Sequence, residues 1–402
     1  MNDRIVNSAL EQDLYKWSMA CCAWQHRPLA TVEYALVNRG GQPLAHLYDP
    51  FMEQVEAMSE VVLSQDEANY LAAPGWIDSR FLSESVGKRM YSPGQVGCSR
   101  SLADQLSVTA KGLWLNAIWW EIVVLPVLSE LYYADWMRRN GVTRAQVEHE
   151  VVRRTREKVA LLRRYPQVKV ANYGLRRRFA AWVEDLTVEI MATEIPTQFV
   201  GASNVHLARK YGVKPIGTMA HEYIEAHLSF VARLELAQPT ALHAWLQTYK
   251  DSLGTALTDT FSTEAFFHDF DCVLARAFSS VRQDSGNPFT FARRMIDHYK
   301  SLGIDPRTKT IVFSDSLTVE RAIQIWTAFA GEVQMAFGIG TNLTNDTGFV
   351  EPLSIVMKLM KCDGQDVVKI SDDAGKVTGS REVAERVKAA YAEVGVRIPI
   401  GE

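Results

Sequence analysis

The hexapeptide Gly217-Thr218-Met219-Ala220-His221-Glu222 sets a histidine just past the short apolar pair Pro215-Ile216 and at the mouth of a helix. An imidazole near a helix N-terminus stays largely neutral and can attack a phosphorus centre, while backbone N–H groups at the same end receive the anion. His221 is therefore the first catalytic candidate, against the plainer reading of a helix-capping or core histidine. The run from His221 to His227 superficially resembles a zinc-binding helix. Its two histidines, however, are six positions apart. At about 100° per residue that spacing turns them to different faces, whereas a His-Glu-x-x-His site needs a spacing of four. No zinc site is expected.

A second group of residues suits a phosphorylated sugar. The segment Gly338-Ile339-Gly340-Thr341-Asn342 follows an apolar run, and glycines there let the main chain approach an anion with no Cβ in the way. Asp259, Asp284 and Asp315 also follow apolar runs, and Arg176, Arg177, Arg178 and Arg282 accompany them. Carboxylates beside a phosphate site hold Mg²⁺ or sugar hydroxyls, and arginines clamp phosphates with two parallel hydrogen bonds. The competing reading is a ring of structural ion pairs.

These groups need a scaffold that brings strand ends together. Eight apolar runs alternate with helical segments after residue 167: 168–171, 197–200, 215–216, 255–257, 279–281, 310–313, 333–337 and 354–359. Alternation of this kind predicts a (β/α)₈-type barrel, whose active site lies at the C-terminal strand ends. Seven of the runs lead directly into polar, glycine-bearing segments, which argues for one large polar site on one rim. Residues 1–130 read as an α+β domain with a strand over 31–37, and residues 131–402 as the barrel with a helical lead-in and a C-terminal tail. The arginine-rich stretch from 131 to 170 is expected to be a solvated helix face. The window 112–131 is too polar for a membrane span and is expected to be a buried helix hairpin.

The 402 residues are 47% hydrophobic and 22% charged, with a net charge of −4. That balance gives no electrostatic reason to expect nucleic acid or an anionic membrane as partner. The polar N-terminus lacks the features of a signal peptide, so a cytoplasmic location is the default expectation. Five cysteines without a Cys-x-x-Cys pair suggest reduced thiols.

Taken in order, Asp13-Leu14-Tyr15-Lys16, Arg176-Arg177-Arg178-Phe179, Gly201-Ala202-Ser203-Asn204-Val205, Gly217 to Glu222, Leu257-Thr258-Asp259-Thr260, Arg282 to Gly286, Phe313-Ser314-Asp315, Phe337 to Asn345 and Lys369-Ile370-Ser371-Asp372 resemble the motifs of the nicotinate phosphoribosyltransferases of NAD salvage. The resemblance covers most of the chain. It implies the type II phosphoribosyltransferase fold, an irregular α/β barrel with an N-terminal α+β domain. It also implies a ligase-type reaction coupled to ATP, in which nicotinate and 5-phosphoribosyl 1-diphosphate give nicotinate mononucleotide and diphosphate, with Mg²⁺ as cofactor. His221 takes the place of the transiently phosphorylated histidine. Tyr15 and Tyr173 resemble the aromatic pair around the pyridine ring, with Tyr15 coming from the neighbouring subunit of a homodimer. Arg176 and Ser203 resemble carboxylate readers; a related nicotinamide-using family is acidic at the Ser203 position, where an aspartate would repel nicotinate. Thr258 and Asp259 fall in the substrate-binding set. Arg282 and Asp284 resemble the pair that handles the ribosyl diphosphate and its Mg²⁺. Asp315 would hold ribose hydroxyls, and Gly338, Gly340 and Thr341 the 5-phosphate.

The chain departs from the family pattern twice. Asn172 stands where the family has an aspartate, and Gln283 where it has a histidine. Both are expected near the pyridine or ribose. Two other functions compete: a phosphosugar isomerase or aldolase using Lys358 or Lys369, for which the sequence offers no partnered site, and a catalytically silent ligand sensor, which would have no need of His221.

Overall fold

The computed structural model describes residues 4–399 apart from Leu102, Asp251 and the side chain of Ala374. Near the N-terminus, helix α1 (Leu14–His26) is buried over its first ten residues. It is followed by strands β1 (Thr31–Asn38), β2 (Val96–Arg100) and β3 (Leu106–Leu113). In β1 Val32 and Tyr34 are buried while Thr31 is exposed, the alternation of a half-buried antiparallel strand.

The second half carries the short parallel strands β4 (Val170–Asn172), β5 (Phe199–Ala202), β6 (Thr255–Leu257), β7 (Ser280–Gln283), β8 (Thr310–Phe313) and β9 (Gln334–Ile339). They form one sheet in the order β5-β4-β9-β8-β7-β6. Val170, Ala256, Val281, Ile311 and Phe337 along these strands are all at 0% exposure, as expected of a parallel sheet covered on its faces. Beyond β5 the sheet continues only as a single bridge from Ala202 to Pro215. Across the remaining gap, Thr218 Oγ1 donates to Thr255 O at 2.9 Å. The ring is thus closed by a side chain, which is where the barrel is irregular. Glycine is required on both sides of that seam. Gly201 has φ +153° and a Cβ there would sit 2.0 Å from Lys214 O; Gly217 has φ +147° and its Cβ would lie 3.0 Å from Tyr15 N.

The expected eight strands are therefore six and a bridge. The run at 354–359 is a strand, but it belongs elsewhere: β10 (Ile355–Cys362) pairs antiparallel with β1, from Val32 opposite Cys362 to Asn38 opposite Ile355. With β11 (Gln365–Asp366) it completes a sheet of order β11-β10-β1-β3-β2. Both ends of the chain thus build the antiparallel sheet, and β10 carries Lys358 toward the barrel mouth.

The window 112–131 is not a hairpin. Trp114–Asn140 is one helical stretch, long and apolar enough to span a membrane, yet 78% of its apolar window is packed inside the fold, with Trp114 and Trp120 at 0% exposure. It ends at Gly141, which takes the left-handed conformation at φ 63°.

Candidate active site

His221 opens the helix His221–Ala226, every residue of which is buried. Its Nε2 lies 3.0 Å from Asp259 Oδ1, just past β6, and 3.8 Å from Asp284 Oδ2, just past β7. The other oxygen of Asp259 accepts from Ser285 Oγ at 2.7 Å and faces Lys369 Nζ at 3.2 Å. Burial alone would raise the Asp259 carboxyl, but Lys369 and His221 hold it well below the usual range. A carboxylate can only accept, so the hydrogen shared with His221 is on Nε2, which leaves the lone pair on Nδ1. Burial and the Lys369 charge lower the imidazole to about 4 against the pull of Asp259, so the ring is neutral at physiological pH. A neutral, oriented imidazole is a nucleophile.

Asp284 accepts from Ser314 Oγ at 2.7 Å and lies 3.8 Å from Arg282. Although burial opposes it, the Arg282 guanidinium keeps this carboxyl ionised below its ordinary range. The ligand atoms of His221, Asp259 and Asp284 lie within 4.8 Å of one another. Asp259 is committed to His221, Ser285 and Lys369, so Asp284 is the residue that fits Mg²⁺, which takes one or two carboxylates and completes its shell from phosphate oxygens and water.

A cavity of about 980 Å³ opens at this rim. Tyr15, Tyr173, Arg176 and Arg177 line one part of it. Arg176 Nη1 donates to Glu121 Oε1 at 3.1 Å, its Nε is 3.6 Å from Asp13, and its guanidinium lies 5.5 Å from the Tyr15 ring centroid. The 3₁₀ turn Leu175–Arg177 settles which arginine points where. Arg176 and Arg177 reach the cavity. Arg178 is 1% exposed and is held by Glu11, Glu184 and Glu130 at 3.2, 3.4 and 3.8 Å. Tyr15 is one of the residues lining this cavity. It reaches the cavity from the same chain, because Leu14 N donates to Ser203 O at 2.9 Å and Asp13 bridges Asn204, fastening the start of α1 beside β5.

Elsewhere the wall carries Gly340, Thr341, Asn342, Asp315, Asp284 and Arg282. Four expected contact residues are absent from it. A Cβ on Gly338 would lie 2.5 Å from the Tyr173 ring, so this glycine seats the ring instead of facing a phosphate. Thr258 is fully buried and its Oγ1 donates to Arg282 O at 2.9 Å, tying the β6 end to β7. Ser203 is 4% exposed and serves the wall through its carbonyl. Asp259 is also covered, at 1% exposure, and acts on the cavity through His221.

The two departures from the family pattern lie beneath the wall. Asn172 Nδ2 donates to Glu184 at 2.8 Å and its Oδ1 accepts from Gly174 N at 2.9 Å. Gln283 Nε2 donates to the carbonyls of Ser285 and Gly286 at 2.6 and 3.1 Å. Both shape loops and neither lines the cavity.

The sequence reading missed several charged residues. Lys376 donates to Asp315 Oδ1 at 2.6 Å and to Asp284 O at 3.2 Å. Lys358, left without a partnered site, lines the cavity with Lys369, Glu222 and Glu225. Arg154, assigned to a solvated face, bonds Asp346 at 2.9 Å and reaches the cavity. Arg39 joins it from just past β1. The family motifs already contain Lys369 and Glu222, and Lys358 entered only as the lysine of a competing enzyme class; Lys376, Glu225, Arg154 and Arg39 come from segments whose pattern reads as ordinary surface, helix or strand.

Comparison with known proteins gives one answer over most of the chain. Residues 168–394 match the nicotinate phosphoribosyltransferase (NAPRTase) family, and residues 10–129 match the N-terminal domain of that family. The nicotinate phosphoribosyltransferase of Chromobacterium violaceum is 38% identical over 391 residues, 95% of each chain. That of Pseudomonas savastanoi pv. phaseolicola is 38% identical over 381 residues, 93% of this chain and 92% of its own. Among solved structures, nicotinate phosphoribosyltransferase from Vibrio cholerae superposes with a TM-score of 0.91 at 32% identity, covering 98% of this chain and 95% of its own. The Porphyromonas gingivalis enzyme gives 0.88 at 36% identity, covering 97% and 100%. The chain belongs to the nicotinate phosphoribosyltransferase family and has its type II phosphoribosyltransferase fold.

Proposed function

We propose that this protein makes nicotinate mononucleotide and diphosphate from nicotinate and 5-phosphoribosyl 1-diphosphate, with ATP hydrolysis coupled through transient phosphorylation of His221. The observation that carries the reading is one cavity holding two aromatic rings, two arginines, and a neutral histidine oriented by an ionised aspartate. Tyr15 and Tyr173 offer faces to a flat ring, and Arg176 and Arg177 face its carboxylate. This arrangement favours the acid over the neutral amide, because a carboxylate can accept charge-assisted hydrogen bonds from both guanidiniums and carries the charge they attract.

In the transfer step the pyridine nitrogen forms a bond to the anomeric carbon as the bond from that carbon to the diphosphate oxygen breaks. Positive charge develops on the sugar, and both electrons of the breaking bond leave with diphosphate. No side chain attacks carbon. The residues supply position and charge: Asp315 for the ribose hydroxyls, Gly340, Thr341 and Asn342 for the 5-phosphate, and Arg282, Lys358, Lys369 and Lys376 for the negative charge that builds on the leaving group. Mg²⁺ at Asp284, when bound, would neutralise part of the same charge.

In the coupling step Nδ1 of His221 attacks the γ-phosphorus of ATP, the bond to the β–γ bridging oxygen breaks, and ADP departs. Asp259 stabilises the positive charge that passes through the imidazole to its Nε2–H. Hydrolysis later returns the histidine and inorganic phosphate. The test is labelling with γ-³²P-ATP, quenched and separated in alkali. An acid-labile, base-stable label on the wild-type chain that is absent from His221→Ala supports the coupling; equal label on both refutes it.

A further inference from the structure

Two ends of the cavity are joined by a buried line of charge that neither chemical step uses directly. Glu222 follows His221 in the chain, and its two carboxylate oxygens accept from Lys16 Nζ at 2.8 and 2.9 Å. The same ammonium lies 2.8 Å from Glu121 Oε2. Glu121 in turn accepts from Arg176 through Oε1 at 3.1 Å and from the Tyr15 hydroxyl through Oε2 at 3.3 Å. The Lys16 side chain is 0% exposed and those of Glu121 and Glu222 only 6 and 8%, so water screens this line little. One ammonium is shared by two carboxylates: one sits beside the phosphoryl acceptor, and the other holds the arginine and tyrosine at the ring-binding end.

We propose that Lys16 is a positioning residue that couples the state of His221 to the affinity of the ring-binding end, through Glu222 on one side and Glu121 on the other. The proposal rests on the ATP-coupled reading above. By partly satisfying Glu121, Lys16 leaves Arg176 with N–H groups for a ring carboxylate. A phosphoryl group on His221 adds about −1.5 to −2 charges near Glu222, which changes how the single ammonium is divided between the two carboxylates. Glu121 then changes its hold on Arg176 and Tyr15. Because Lys16 and Tyr15 are adjacent in the first turn of α1, any shift of the ammonium also pulls on the ring that faces the substrate.

The experiment measures KM for nicotinate and for 5-phosphoribosyl 1-diphosphate, with and without ATP, in wild type, Lys16→Met and Glu222→Gln. Lys16→Met is expected to raise KM for nicotinate about tenfold, the loss of one charge-assisted contact, with KM for the sugar diphosphate changed less than about twofold. Glu222→Gln keeps an acceptor for Lys16 but removes the charge. It is expected to retain the fold while losing most of the ATP-induced change in nicotinate KM. If Lys16→Met does not fold, Glu222→Gln decides alone. Wild-type coupling in Glu222→Gln would overturn the proposal while leaving the coupled reaction standing. A wild-type enzyme whose nicotinate KM ignores ATP would overturn the proposal, and one in which ATP changes neither KM nor kcat would overturn the coupled reading as well. A parallel rise in every KM with a fall in kcat would mark Lys16 as merely structural.

Discussion

Replacing Asp259 by asparagine removes one negative charge and changes little else in shape. In the native site its carboxylate accepts from His221 at 3.0 Å and Ser285 at 2.7 Å and faces Lys369 at 3.2 Å, at 1% exposure. An amide at this position can donate to Nε2, which moves the imidazole hydrogen to Nδ1 and removes the lone pair needed for attack on phosphorus. It also strips the nearest counter-charge from the buried Lys369 ammonium. Hydrogen bonds to charged groups contribute about 1.5–3 kcal/mol. At about 1.4 kcal/mol per factor of ten, the orientation term alone slows phosphorylation roughly tenfold to 150-fold. The ATP-independent transfer should fall less, because Asp259 lies behind the wall and touches the cavity through His221. The assay is ADP release by Asp259→Asn measured beside mononucleotide formation without ATP. An ADP-release rate equal to wild type would refute the tautomer argument, whatever happens to the transfer.

Three further outcomes follow from the geometry. Folding lowers the His221 imidazole from its ordinary 6.5 to about 4, chiefly through burial. The unfolded chain therefore binds the extra proton first, and this residue withdraws roughly 3 kcal/mol of stability as pH falls from 6.5 to 4, with no effect above 6.5. Urea unfolding across that window should show a shallower acid loss in His221→Gln than in wild type; identical slopes would contradict the burial argument. Asn172→Asp, which restores the family's usual residue, would set a second carboxyl against Glu184, whose own carboxyl burial pushes up to about 7. It should cost about 1–3 kcal/mol at pH 8, less at pH 6 where the pair shares a proton, with nicotinate KM changed less than about twofold; a large KM change would put Asn172 in contact with substrate after all. Gly338→Ala should displace the Tyr173 ring, since its Cβ would meet that ring at 2.5 Å, and raise nicotinate KM more than sugar diphosphate KM. Kinetics with each substrate varied separately will show whether the two move together.

The sequence spoke most clearly where a short apolar strand ends in an acid or a glycine, because that junction couples burial to chemistry. Runs at 255–257 and 310–313 became strands over those same residues, with Asp259 and Asp315 just beyond them. The run at 354–359 was equally clear as a strand and wrong as a barrel member, because its sheet depends on pairing with β1 more than 300 positions earlier. Side-chain direction was the harder problem. Three consecutive arginines give no sign of which one is buried until the 3₁₀ turn is known, and Arg178 proves to be the structural one. Gly338 and Gly340 look alike in the sequence, yet one seats a ring and the other borders the cavity. Lys16 and Glu121 lie 105 positions apart and meet only because α1 and the long helix from Trp114 pack together, so their ion pair has no local signal.

The most direct test is chromatography of the products that the purified protein forms from 5-phosphoribosyl 1-diphosphate and Mg²⁺, offering nicotinate, nicotinamide and quinolinate separately, each with and without ATP. The account predicts mononucleotide from nicotinate alone, in larger yield with ATP and with diphosphate formed in equal amount. Product from nicotinamide at a comparable rate, or none from nicotinate, would contradict it.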